Sequence, residues 1–230
     1  FVPASTTAVV AGPANFSGGS FASENASAIL DVSGDVLLAG CAIAGTASID
    51  VGGAFTADPD FAPTSGRILF DGVAGTSAAP STTGGAVTFA GLVVAAGTLT
   101  LATDMTVQAA SVEVFSGATL RVAGSAATFG PTAFSIAGEV LVDAGGVLRL
   151  DDAAPLVIPV GASLRLAGAA TSPAVVEAAG PAGFSVRVEG ALSARNFRLS
   201  GPAAQGFVLD VTATIAAELG EVAQGDPHWR

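Results

Sequence analysis

The 230-residue sequence predicts an all-β chain, a right-handed parallel β-helix (β-solenoid) with three short strands per coil of about 22 residues. Three observations predict it. Triplets of apolar, polar and apolar residues recur along the chain, similar segments return at spacings near 22 and 44 residues, and the turn dipeptides of antiparallel hairpins are nearly missing.

The triplets are Leu99-Thr100-Leu101, Val112-Glu113-Val114, Leu120-Arg121-Val122, Phe134-Ser135-Ile136, Leu148-Arg149-Leu150, Leu164-Arg165-Leu166, Val186-Arg187-Val188 and Phe197-Arg198-Leu199. Alternation with period two turns one side of a strand inward. The flanking apolar residues, Leu120, Leu148 and Leu164 among them, are therefore expected in a core. Arg121, Arg149, Arg165, Arg187 and Arg198 are expected in solvent, the alternative being a basic binding stripe. Helical spacing is almost everywhere broken by Gly or Pro, and the one short helical candidate is Ala213 to Leu219.

Spacing separates a solenoid from a sandwich. Gly117-Ala118-Thr119-Leu120 returns as Gly161-Ala162-Ser163-Leu164 after 44 residues, and Arg121, Arg165 and Arg187 follow one another at 44 and 22. Gly145-Gly146-Val147-Leu148 falls 28 after the first and 16 before the second, so the period is imperfect. The only Asp-Gly is Asp71-Gly72, whereas antiparallel meanders depend on such two-residue turns.

Residues 1–230 read as one solenoid domain, a mature form or a segment of a longer chain. Two Pro- and Ser-rich stretches, 57–66 and 74–85, read as loops projecting from the stack, because triplets continue beyond both.

Composition narrows the function. Half the residues are apolar but only 6% aromatic, Tyr is absent and Gly occupies 30 positions, so the core must be thin and built from Val, Leu, Ile and Ala. Lys is absent. With eight arginines scattered singly and 19 acids, the net charge is −11, which argues against nucleic acid as a partner. The apolar runs, such as Leu156 to Val160, are cut well short of the ~20 residues of a membrane helix. Cys41 stands alone, with no base near it in sequence, and reads as a small buried hydrophobe rather than a nucleophile.

Few residues invite chemistry. Asp58 and Asp60, with Asp71 further on, are the metal candidates, as oxygen ligands to Ca²⁺; the competing reading is an Asp-Pro-Asp turn. No other cofactor is expected. Asp151 and Asp152 would converge as a catalytic pair only if a turn begins there, which Pro155 permits. No arginine shows a carboxylate cluster beside it in successive repeats. His228 and Trp229 stand at the C-terminus, and Asn15 and Asn25 open N-glycosylation triplets.

From about Val87 to Leu199, segments such as Phe89-Ala90-Gly91-Leu92-Val93-Val94, Gly97-Thr98-Leu99-Thr100-Leu101, Asp104-Met105-Thr106-Val107 and Ser116-Gly117-Ala118-Thr119-Leu120 resemble the repeats of large bacterial surface β-solenoids, the adhesin and autotransporter-passenger-like proteins. The resemblance implies a solenoid exported to the cell surface or beyond. A structural or adhesive segment is therefore expected, a rigid spacer or loop-presenting scaffold for a glycan or another surface protein, with no enzymatic activity. The alternatives are a carbohydrate-active β-helix enzyme, either a polysaccharide lyase or a glycoside hydrolase, and a module that self-associates through its end coils.

Overall fold

The structure, a computed structural model, describes residues 7–23, 28–45, 48–57, 66–72, 86–101, 106–124, 126–150, 155–201, 206–210 and 212–223. Its N-terminal strands are β1 (Thr7–Val10), β2 (Ala14–Ser23), β3 (Ile29–Val32), β4 (Val36–Gly45), β5 (Ser48–Val51), β6 (Phe55–Ala57), β7 (Arg67–Phe70), β8 (Ala86–Phe89), β9 (Leu92–Val94), β10 (Thr98–Leu101) and β11 (Thr106–Val114). The remainder are β12 (Thr119–Val122), β13 (Ala126–Ile136), β14 (Glu139–Asp143), β15 (Val147–Leu150), β16 (Leu156–Ile158), β17 (Ser163–Ala167), β18 (Ala174–Ala178), β19 (Val186–Val188), β20 (Ala191–Ser200), β21 (Phe207–Leu209) and β22 (Thr214–Ala223).

Every pairing between these strands is parallel, and each strand stacks on one about a coil away. The chain is a β-solenoid. One wall stacks β10, β12, β14, β17 and the first half of β20; a second stacks β8, β11, β13, β15, β18 and the second half of β20. A third runs β1, β3, β5, β7, β9 and the second half of β11, and sheets β16-β19-β21 and β2-β4-β6 supply the rest. Residues 213–219, the helical candidate, belong to the end of one turn and to β22, because the neighbouring β20 offers a parallel pairing edge that fixes the backbone as a strand.

Side chains of like shape stack in columns down the interior, as Leu99, Leu120, Val140, Leu164 and Leu192 do on the first wall. Leu120, Leu148 and Leu164 have no exposed surface, in line with the alternation. Three of the aromatics meet in the N-terminal half of the core, where Phe55 lies edge-on to Phe70 at 5.9 Å and tilted against Phe89 at 5.8 Å. Arg121, Arg165, Arg187 and Arg198 are exposed, and Arg149 is half-buried.

Corners explain the imperfect period. Phe115–Ala118 and Pro159–Ala162 are four-residue turns closed by Ala118 N–H to Phe115 O (3.0 Å) and Ala162 N–H to Pro159 O (3.0 Å). Gly117 (φ 80°) and Gly161 (φ 91°) hold the position of such turns that requires positive φ. On the coil between them the same corner is only Ala137-Gly138. A Cβ at Gly138 would lie 2.3 Å from the Phe115 and Ala118 oxygens, so the tight corner nests inside the wide one. Gly190 nests in the same way, 2.3 Å from Ala162 O. Wide and tight corners alternate, which makes the true repeat of this motif two coils, the 44 residues seen in the sequence.

Two spacings mislead. Gly145-Gly146 closes a turn of the same chemistry, Gly146 N–H to Asp143 O (2.9 Å) with Gly145 at φ 75°, but at a different corner. Arg121 stacks on Leu141 and then Arg165, whereas Arg187 stands on another wall, beside Val157 and Val208. The 22 residues between Arg165 and Arg187 are not a rung. Actual offsets between stacked strands range from 19 (Ile29 to Ser48) to 30 (Leu156 to Val186).

Leu148→Ala should lower the unfolding free energy by ~2–5 kcal/mol in urea titration, as for a fully buried leucine with fixed neighbours. Gly138→Ala should cost more than Gly117→Ala. The first drives a methyl into two carbonyl oxygens, while the second meets open space and suffers only the backbone strain of positive φ, ~1 kcal/mol. Equal losses for the two glycines would contradict the nested corners.

Candidate functional site

Polar chemistry sits on the outward positions of the walls, and two arrangements stand out. The first is a row of acids near the N-terminal end. Asp31 in β3 and Asp50 in β5 are direct register partners, on strands about 4.7–4.9 Å apart. Asp71 follows β7 immediately, held by its N–H to Val51 O (3.3 Å), and lies against Asp50.

Stacking forces these carboxylates together because each is the polar member of a strand whose neighbours must face the core: Leu30 and Val32 flank Asp31, and Ile49 and Val51 flank Asp50. Asp50 Oδ1 is buried and has no hydrogen-bond partner. Burial, then the charges of Asp71 and Asp31, push the Asp50 carboxyl up to about 6, against a hydrogen bond from the Val51 backbone that favours its ionised form. A protonated Asp50 can donate to Asp71. Ionised, it is the middle of three like charges.

The second arrangement is a set of ion pairs, most of them between adjacent coils. Arg149 Nε meets Glu177 Oε1 at 2.7 Å, and the two are register partners on β15 and β18. Arg121 pairs with Asp143, and Arg187 reaches both Glu189 (3.1 Å) and Asp210 (3.3 Å). Arg67 and Glu113 are 3.4 Å apart. The sequence showed no carboxylate cluster beside an arginine in successive repeats; stacking sets one acid beside Arg67, Arg121 and Arg149 and two beside Arg187, because acids far apart in sequence arrive on neighbouring coils. Asp210 lies below the usual carboxylate range, first because the Thr212 N–H donates to it and then because Arg187 lies beside it. These pairs are largely solvated, so each adds little cohesion.

Of the metal candidates only Asp71 falls among the described residues, exposed at the end of β7; Asp58 and Asp60 lie outside them. The acids that join Asp71 are Asp31 and Asp50, neither of which the sequence reading singled out. Their signal was there in Leu30-Asp31-Val32 and Ile49-Asp50-Val51, two triplets one short coil apart. No group of three or more His, Cys, Asp or Glu among the described residues is placed to hold a metal ion. Asp151, Asp152, Asn25, His228 and Trp229, and most of loops 57–66 and 74–85, also lie outside the described residues. Asn15 is exposed on β2, and Cys41 belongs to β4. No described helix is long and apolar enough to cross a membrane.

No family model, curated protein or solved structure matches this chain significantly. The likeness to bacterial surface solenoids therefore stands on the repeat residues themselves.

Asp50 gives a signed pH dependence. Its folded value of about 6 exceeds the ordinary 3.8, so the stabilising proton is fully in place below about pH 4 and its contribution is lost as pH rises through 6. Asp50→Asn should therefore be more stable than the wild type at pH 7.5, with the gap closing toward pH 4.5, in urea midpoints measured at constant m-value. A gap that stays constant across that range would show that Asp50 titrates normally.

Proposed function

We propose that this chain is a rigid, non-enzymatic scaffold, a segment of a secreted or cell-surface protein that holds loops at fixed spacing for a glycan or another surface protein. The observation that carries this reading is the inter-coil register of the described walls, which shifts between Ala109 and Ser111 of β11 and is otherwise carried from strand to strand. Each coil is tied to the next by parallel backbone hydrogen bonds on its walls, by columns of buried Leu, Val and Ile, and by outward ion pairs. Stability in such a stack is a sum over neighbouring coils, so a rod can be long and stiff while its corners accept insertions. The differing offsets between stacked strands already record insertions and deletions at corners that leave the register of the walls intact.

The acid row supports a second reading, a carbohydrate-active enzyme with Asp50 as the proton donor, since a carboxyl raised toward neutrality beside ionised partners suits general acid catalysis. The scaffold reading is preferred because the row lies on an outward strand wall, and Asp50 acquires its shift from stacking alone.

An epitope inserted within residues 74–85 should be bound by its antibody while the urea midpoint stays within error of the wild type, whereas the same insertion between Ala137 and Gly138 should unfold the coil. Equal damage from both would remove the scaffold reading. Incubation with acidic and neutral glycans should yield neither reducing ends nor unsaturated products; turnover lost in Asp50→Asn would establish the enzyme instead.

A further inference from the structure

Outward arginines in this stack are matched with acids. Arg67, Arg121, Arg149 and Arg187 each hold a carboxylate, and Arg198 is not free either. Arg230 lies outside the described residues. The two that remain, Arg165 on β17 and Arg195 on β20, are both exposed, and neither has an ion pair with a described side chain.

These two are neighbours. Arg165 is the register partner of Ser193, and Arg195, two residues further on, is the partner of Ala167. Arg121 stands in the same relation to Asp143: its register partner is Leu141, and the acid lies two residues further along the next coil. Relative to Arg165, then, Arg195 occupies the place that the pairing acid occupies relative to Arg121. The diagonal is roughly 8 Å between Cα atoms, from the strand spacing and a rise of two residues. Small side chains, Ala167 and Ser193, hold the other two corners of the patch. Of the nearby acids, Asp143 binds Arg121, Glu139 accepts from the Thr119 hydroxyl, and Glu218 lies on β22, the side of Arg195 away from Arg165. Two long guanidinium groups over a low floor can reach one oxyanion from two sides, each through a fork of N–H donors.

The surroundings choose the occupant. A net charge of −11 repels a polyanion, which leaves an isolated negative group on a largely neutral carrier. Both strands are paired along both edges, β17 with β14 and β20, and β20 with β17 and β22, so no edge is open to an extended peptide. Leu166, Leu192 and Ala194 alternate with the patch residues and are buried in the core, so the wall offers no apolar anchor beside the arginines. A sugar chain needs neither an edge nor an anchor; it lies flat and is held by its charge and hydroxyls.

We propose that the wall of β17 and β20 binds the carboxylate of an acidic sugar residue in a glycan, through Arg165 and Arg195. The contact lies on a wall and not on the loops, so it does not depend on the scaffold reading.

NMR titration of the 230-residue chain with a glucuronate-containing oligosaccharide, at low ionic strength, tests it. The side-chain Nε–H signals of Arg165 and Arg195 should move together and saturate at one ligand per chain, and added salt should reverse the shift. The same oligosaccharide with its carboxyl reduced to an alcohol should move neither. Arg165→Gln and Arg195→Gln should each weaken binding about tenfold, the loss expected for a hydrogen bond to a charged group. Arg149→Gln, on another wall and already paired with Glu177, should bind as the wild type does, and urea midpoints establish that all three variants fold. Signals that stay still, an equal response to the reduced sugar, an equal loss in Arg149→Gln, or a Glu-rich peptide that binds the same two arginines more tightly would each overturn the proposal.

Discussion

A coil of this chain can bury its inward side chains only against the coils on either side of it. Three- to five-residue strand segments carry about two inward residues each, too few to enclose anything alone. Stacking supplies the missing partners: Leu120 is covered by Leu99 and Val140, Leu164 by Val140 and Leu192. Inward position, corner geometry and the pairing of charges all follow from keeping successive coils in register. A solenoid is for this reason nearly one-dimensional in its energetics.

The corners show how closely the register is held. Where a four-residue turn bulges, the next coil makes the same corner with two residues, and only glycine has room there beneath the carbonyls of the wider turn. Alternation lets each coil advance by one strand spacing without opening a gap at the edge of the prism. The same accounting explains why an Asp, a Thr or a Ser often closes a corner: Asp35 accepts the Ala54 N–H at 2.8 Å, and Thr212 donates to Glu189 O at 3.0 Å, satisfying backbone groups that the parallel ladder leaves behind at its margins.

Register has an electrostatic consequence as well. A parallel stack places position upon position, so outward residues meet whatever the previous coil carried there, with no freedom to avoid it. Opposite charges give cohesion, as in Arg149 on Glu177; like charges give the Asp31, Asp50 and Asp71 row, where one carboxyl holds its proton into the mildly acidic range. The ion pairs and the acid row are thus two products of one constraint. One is a rung whose neighbour has the opposite sign, and the other is a rung whose neighbour has the same sign.

Local pattern was enough to read the class of fold, the faces of the strands and the burial of Leu120, Leu148 and Leu164, because alternation in a strand depends on nothing beyond the strand. It was also enough to detect a two-coil recurrence at Gly117 and Gly161. What it did not contain was which turn belongs to which corner. Gly145 and Gly117 hold the same position of like turns, at φ 75° and 80°, and the chemistry of a turn carries no label for its wall. Pairing across coils was likewise beyond it: offsets vary from 19 to 30 residues, so Asp50 could be set beside Asp31 and Asp71, and Arg121 beside Asp143, only once the coils were stacked. Side-chain direction is a local property of the backbone, whereas adjacency in a solenoid depends on the summed length of every corner between two strands.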